Sequence, residues 1–120
     1  MDQRFKTTNT ILYCKQWEQA VAFYKERLGL QVNFSNDWFV EFRLTGGSRI
    51  SIADETRASV KSCGGKGFTL ALEVKDIDSV WADMEKSGIG PADIKNHPWG
   101  AFYDPEGHRI EIWQDQRPLS

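Results

Sequence analysis

Hydrophobic and polar positions along this chain change period twice, in the same order each time. Thr8 to Cys14 is β-branched and apolar over strand length. From Gln16 to Leu28 the period turns helical. Trp17, Val21, Tyr24 and Leu28 form one apolar stripe suited to lie on a sheet, and Gly29 suits the left-handed position that stops such a helix. Val32 to Phe34 predicts a short strand and Ser35-Asn36-Asp37 a turn. Trp38 to Leu44 alternates, with Val40, Phe42 and Leu44 on one face and Phe39, Glu41 and Arg43 on the other. Thr45 to Ser48 reads as a hairpin loop. Arg49 to Ala53 reads as a strand, with Ile50 and Ile52 on one face and Arg49, Ser51 and Ala53 on the other.

Asp54 to Lys66 is polar, ends in Cys63-Gly64-Gly65-Lys66, and predicts a linker. The plan then repeats. Phe68 to Val74 is strand-like, and Asp76 suits the N-cap of a helix running through Lys86. Val80, Trp81 and Met84 supply its buried face and Gly88 its stop. Ile94 to Trp99 predicts a short strand or loop, Ala101 to Tyr103 a strand, Asp104 to Gly107 a turn, His108 to Gln114 the last strand, and Arg117 to Ser120 a loose tail. Ile11–Leu30 closes on Leu28-Gly29-Leu30, and Leu70–Ile89 closes on Ser87-Gly88-Ile89. This echo predicts two copies of one βαβββ unit within a single domain: module one about 7–54, a linker about 55–66, and module two about 67–114.

Composition narrows the picture by exclusion. The 120 residues suffice for one domain with its own core. Seventeen acidic against fifteen basic residues leave no basic stripe, so nucleic acid is not an expected partner. No apolar run approaches the ~20 residues that span a bilayer, so no membrane is expected either. Met1 to Lys6 is polar and unlike a signal peptide, which predicts a cytoplasmic protein with Cys14 and Cys63 reduced, a Cys14–Cys63 disulfide being the alternative. Gly64-Gly65-Lys66-Gly67 lacks phosphate-loop spacing, and no nucleophile elbow is present. His97 and His108 have no partner at chelating spacing and read as ordinary loop residues, His108 exposed in its turn.

Several of these segments carry a resemblance. They are Ala22-Phe23-Tyr24 leading to Leu28-Gly29-Leu30, Trp99-Gly100, Asp104-Pro105-Glu106-Gly107, and Ile110-Glu111-Ile112, set around an internal repeat. Over roughly Thr7 to Gln114 the chain resembles the vicinal oxygen chelate superfamily of glyoxalases, extradiol dioxygenases and bleomycin-resistance proteins. The resemblance implies an α+β fold, two βαβββ modules forming curved mixed sheets around a cavity, and a homodimer. In metal-using members, side chains from four strands hold a divalent ion. The matching positions here fall on Asn9, at or near Ser51, on Thr69 and on Glu111. Only Glu111 is a competent anionic ligand, so the resemblance implies no metal and no cofactor for this chain.

Alternation places Arg109, Glu111 and Trp113 opposite Ile110 and Ile112, towards the expected cavity. Glu111 reads in two ways: as a carboxylate serving a cationic ligand or acting as a base, or as an ion pair with Arg43, Arg49 or Arg109 across neighbouring strands. The candidate ligand-binding set is Phe39, Glu41, Arg43, Ser51, Trp99, Tyr103, Glu111 and Trp113, whose aromatics suit either a stacking groove or a core. Trp17, Tyr24 and Trp81 are expected to pack helices on sheets. The implied function is metal-free binding of a small molecule, an antibiotic or another aromatic and polar ligand. The alternatives are a lyase, isomerase or dioxygenase with an atypical ligand set, and a metabolite-sensing accessory module.

Overall fold

The computed structural model describes residues 5–89 and 99–114, with the backbone but not the side chain of Trp99. His97, the residues from Ile94 to Pro98 and the Arg117–Ser120 tail lie outside them. Module one runs β1 (Thr8–Cys14), α1 (Trp17–Ala22), a π-helical turn (Phe23–Arg27), β2 (Val32–Ser35), β3 (Phe39–Arg43) and β4 (Ser48–Asp54). Its sheet has the order β1-β4-β3-β2, with β1 parallel to β4 and the other pairs antiparallel. Module two runs β5 (Thr69–Glu73), α2 (Ile77–Lys86), β6 (Trp99–Tyr103) and β7 (Arg109–Trp113). Its described strands are ordered β5-β7-β6, with β5 parallel to β7 and β6 antiparallel to it. The two mixed sheets thus follow one plan: the first strand of each module lies parallel to its last.

Both helical segments cover the same kind of face. Leu12, Cys14, Val40, Phe42, Ile50 and Ile52 from the first sheet join Phe102, Ile110 and Ile112 from the second in one buried cluster with Phe23, Tyr24, Trp81 and Met84. Each large side chain so buried contributes about 1.5–3 kcal/mol. Phe102 bridges the modules, its ring 6.3 Å from both Phe23 and Trp81.

The first helix departs from the expected continuous Gln16–Leu28 run. After Ala22 it widens, and the Leu28 N–H reaches five residues back to the Phe23 carbonyl at 3.0 Å. The wider turn lets two successive aromatic residues, Phe23 and Tyr24, both be buried. The expected stops hold: Gly29 and Gly88 take φ of +70° and +82°. Asp76 caps α2, accepting from the Ser79 N–H at 3.3 Å.

Residues 55–66, expected as a linker, fold into hydrogen-bonded turns. Lys61 Nζ donates to the Glu55 and Ala58 carbonyls at 2.7 and 3.1 Å, and the Ser62 N–H donates to the Glu55 carboxylate. Gly65 seals this stretch against the turn before β7. A Cβ there would lie 2.3 Å from the Gly107 carbonyl carbon and 2.4 Å from the His108 nitrogen, so only glycine fits. Among the described residues no helix is long and apolar enough to cross a membrane.

Candidate functional site

The face of each sheet turned away from the helices is built on one register. In module one Asn9 pairs with Arg49, and Arg49 with Arg43 across β3. In module two Thr69 pairs with Arg109, and Arg109 with Tyr103 across β6. Arg49 and Arg109 therefore hold equivalent places in the repeat, and each takes a carboxylate. Arg49 meets Glu41 at 3.6 Å and Arg109 meets Glu111 at 3.3 Å. The like charges of Arg43 and Arg49 stand directly opposite, which is unfavourable alone. Asn33 relieves this by accepting from Arg43 Nε at 3.2 Å while its amide donates to Glu41, which also faces Arg49.

Ser51 and Glu111 are likewise equivalent, one at the floor of each face. Ser51 is fully buried and donates to Asn9 Oδ1 at 2.7 Å. Glu111 stands between Ala71 and Ala101 on the flanking strands, a carboxylate between two small neighbours. Its partner is the guanidinium two residues before it on the same strand, not one across neighbouring strands. That guanidinium also reaches Thr69 Oγ1 at 3.4 Å. Tyr103 is largely exposed on this face, and Trp113 is half-buried.

The four positions that match metal ligands in the family do not fit a divalent ion. Asn9 and Ser51 satisfy each other, and Arg109 already serves both Thr69 and Glu111. One carboxylate beside a guanidinium is a poor donor set. Among the described residues, no three His, Cys, Asp or Glu side chains gather as ligands.

A second constellation lies where the modules meet. The Asp104 carboxylate is buried and accepts four hydrogen bonds. Tyr24 Oη (2.6 Å) and His108 Nδ1 (2.8 Å) reach Oδ2, and the Glu106 and His108 backbone N–H groups reach Oδ1, each at 2.9 Å. Burial by itself would raise this carboxyl. The bonds from His108 and Tyr24 overcome that and hold it below the ordinary aspartate range. Burial, then the Asp104 charge, pushes the Tyr24 hydroxyl far up, so it stays a donor. Glu106, two residues on, accepts from the Lys15 and Gln16 N–H groups at 2.8 and 3.0 Å and from Ser62 Oγ. It too is lowered: those bonds outweigh its partial burial. Burial and the Glu106 and Asp104 charges raise the Cys14 thiol, which stays protonated.

This corrects the reading of His108 as an exposed turn residue. It is 6 % exposed, because the turn folds its ring back onto the Asp104 carboxylate. Sequence reasoning placed Tyr24 on a packing stripe and missed its hydroxyl. The available signal was an aspartate opening a Pro-Glu-Gly turn, a position where the carboxylate commonly accepts from the N–H two residues on.

Cavities among the described residues lie elsewhere, three of them as follows. One of about 590 Å³ sits between α1 and the β2–β3 end, walled by Val21, Leu30, Val32 and Val40, with Lys25 as its only charge and no carboxylate, histidine or thiol. One of about 360 Å³ lies between the helical segments, and one of about 180 Å³ at the junction. None of the three is lined by any of the eight candidate ligand-binding residues. Within one chain those eight divide four and four: Phe39, Glu41, Arg43 and Ser51 on the first sheet, Trp99, Tyr103, Glu111 and Trp113 on the second.

A family model described as Glyoxalase/Bleomycin resistance protein/Dioxygenase superfamily matches residues 6–112. No curated protein matches the chain. Solved structures of similar fold include an antibiotic-binding protein from a Streptomyces species (TM-score 0.76, 19 % identity, 97 % of this chain and 100 % of that one). A glyoxalase-related enzyme from Fulvimarina pelagi is also similar (0.74, 21 %, 99 % and 94 %). So is a lactoylglutathione lyase from Agrobacterium tumefaciens (0.71, 18 %, 94 % and 96 %). At these identities the likeness is one of fold.

Proposed function

The chain belongs to the glyoxalase/bleomycin resistance protein/dioxygenase superfamily, and on that premise we propose that it binds a small molecule without a metal. The reading further holds that two copies form a cytoplasmic homodimer, bringing a first sheet against a second so that their open faces enclose the ligand. The observation that carries it is the paired design of those faces, each with one Arg–Glu pair among small and aromatic residues. Such a surface offers a cation, an anion and stacking area together, which suits a polar aromatic or zwitterionic ligand. An antibiotic fits this class, and the Streptomyces protein of similar fold binds one. Ser51, bonded to Asn9, and Glu111, bonded to Arg109, act as floor and anchor rather than as metal ligands.

The test is a panel of planar and cationic antibiotics titrated against tryptophan fluorescence, with the metal content of the same sample measured before and after adding divalent ions. Saturable quenching that survives a chelator, in a protein sedimenting as a dimer, is the expected outcome. Stoichiometric metal with chelator-sensitive binding would replace this reading with a metal-dependent lyase or dioxygenase. A monomer at micromolar concentration would remove the shared groove.

A further inference from the structure

The 180 Å³ hollow at the module junction adjoins the open face of the first sheet, sharing Ile11 and Tyr13, which pair with Ser51 and Ala53, and holds none of the eight candidate ligand-binding residues. Ile11, Val60 and Phe68 give it apolar walls, and Lys66, Cys63 and His108 give it chemistry. His108 is more than nine-tenths buried, and its Nδ1 is committed to Asp104. Asp104 is held ionised and can only accept, so Nδ1 carries the hydrogen. Nε2 has no partner. Nor is it among the enclosed unpartnered side-chain atoms, of which the described residues hold one, Trp81 Nε1. The ring that carries this nitrogen lines the hollow. Phe68 packs edge-on against the ring at 5.9 Å and fixes its plane. The Lys61 ammonium is spent on two carbonyls, while the Lys66 side chain makes no such bond.

We propose that this hollow is a second binding site, for a small monocarboxylic acid with a compact apolar body. A cavity of about 150 Å³ accepts a benzene ring, so the volume suits a ring or short branched chain plus one carboxyl group. The apolar body lies against Ile11, Val60 and Phe68. The carboxylate meets Nε2 through one proton taken up from solvent on binding, and the ionised Asp104 behind Nδ1 stabilises the imidazolium that results. Lys66 at the rim supplies the positive field that prefers an acid to its neutral analogue. A dication or a bulky glycopeptide is excluded by charge and by size.

Benzoate is the probe, and Cys63 reports on it. Cys63 is exposed on the wall of the hollow, whereas Cys14 is fully buried, so a thiol reagent applied to the folded protein reads Cys63 alone. Benzoate should slow the labelling of Cys63 in a saturable way and leave tryptophan fluorescence unchanged, since no tryptophan lines the hollow. Benzyl alcohol, of similar shape without the charge, should not protect. Lys66→Gln should weaken benzoate about threefold, the worth of one exposed charge. His108→Gln should weaken it at least about tenfold through loss of a charge-assisted bond. Should His108→Gln fail to fold, the Lys66 variant and the neutral probe decide. Equal protection by benzyl alcohol, no protection by benzoate, or an unchanged affinity in Lys66→Gln would each overturn the proposal. Tryptophan quenching without Cys63 protection would place benzoate on the sheet faces and overturn it equally, leaving the antibiotic-binding reading untouched.

Discussion

The junction and the open faces use carboxylates in opposite ways. At the junction Asp104 is buried with four donors, and Glu106 ties the start of α1 and the 55–66 turns to the last turn. On the open faces Glu41 and Glu111 meet arginines at 3.6 and 3.3 Å in partly exposed pairs, each side chain a fifth to a third accessible. Exposed pairs contribute little to stability, whereas breaking a buried, satisfied charge network costs several kilocalories. The difference separates a structural carboxylate from one left free to meet a ligand. The family-like Asp-Pro-Glu-Gly segment thus owes its chemistry to holding the modules together.

The comparison is broken most severely by Asp104→Ala, which leaves Tyr24 and His108 without their acceptor. It should lower stability by about 3–5 kcal/mol, read from urea unfolding. The acid limb sharpens it. Asp104 and Glu106 have lowered carboxyls in the fold, so the stability they add is fully present above the ordinary values of about 3.9 and 4.3. It is lost as pH falls through the lowered native ones. Melting temperature should therefore fall as pH drops below about 4, more steeply in the native protein than in Asp104→Ala. Tyr24→Phe removes one donor and keeps the ring, so a loss of about 1.5–3 kcal/mol is expected. Glu111→Gln should be the mildest, under about 1 kcal/mol, while weakening a cationic ligand on the second face. If Glu111→Gln proves as damaging as Asp104→Ala, the contrast between junction and faces is wrong.

The alternation of Val40 with Glu41 and of Ile110 with Glu111 made the sheets legible, because one face of each had to be apolar. The glycine stops and the Asp76 cap were legible for an equally local reason. The π-helical turn was not: it depends on Phe23 and Tyr24 both finding room beneath the sheets, a fact of packing rather than of period. His108 was misread because its burial depends on Asp104 and on Gly65 docking against Gly107, contacts made only once the modules close. The candidate ligand face was readable residue by residue. What the sequence could not convey was where the two halves of that face meet, because among the described residues the two sheets share no strand pair.

The bonds that lock the junction join distant points of the chain: Tyr24 to Asp104 across 80 positions, and Lys15 to Glu106 across 91. Closing so long a loop carries an entropic cost that local pairing does not. On the ribosome, a chain grown only to Tyr103 contains every strand of the first sheet and α1. It has nothing to accept the Tyr24 hydroxyl and no carboxylate to cap the N–H groups of Lys15 and Gln16. The first module therefore lacks these bonds until Asp104 and Glu106 are made, so the lock is among the last parts of the fold to become available.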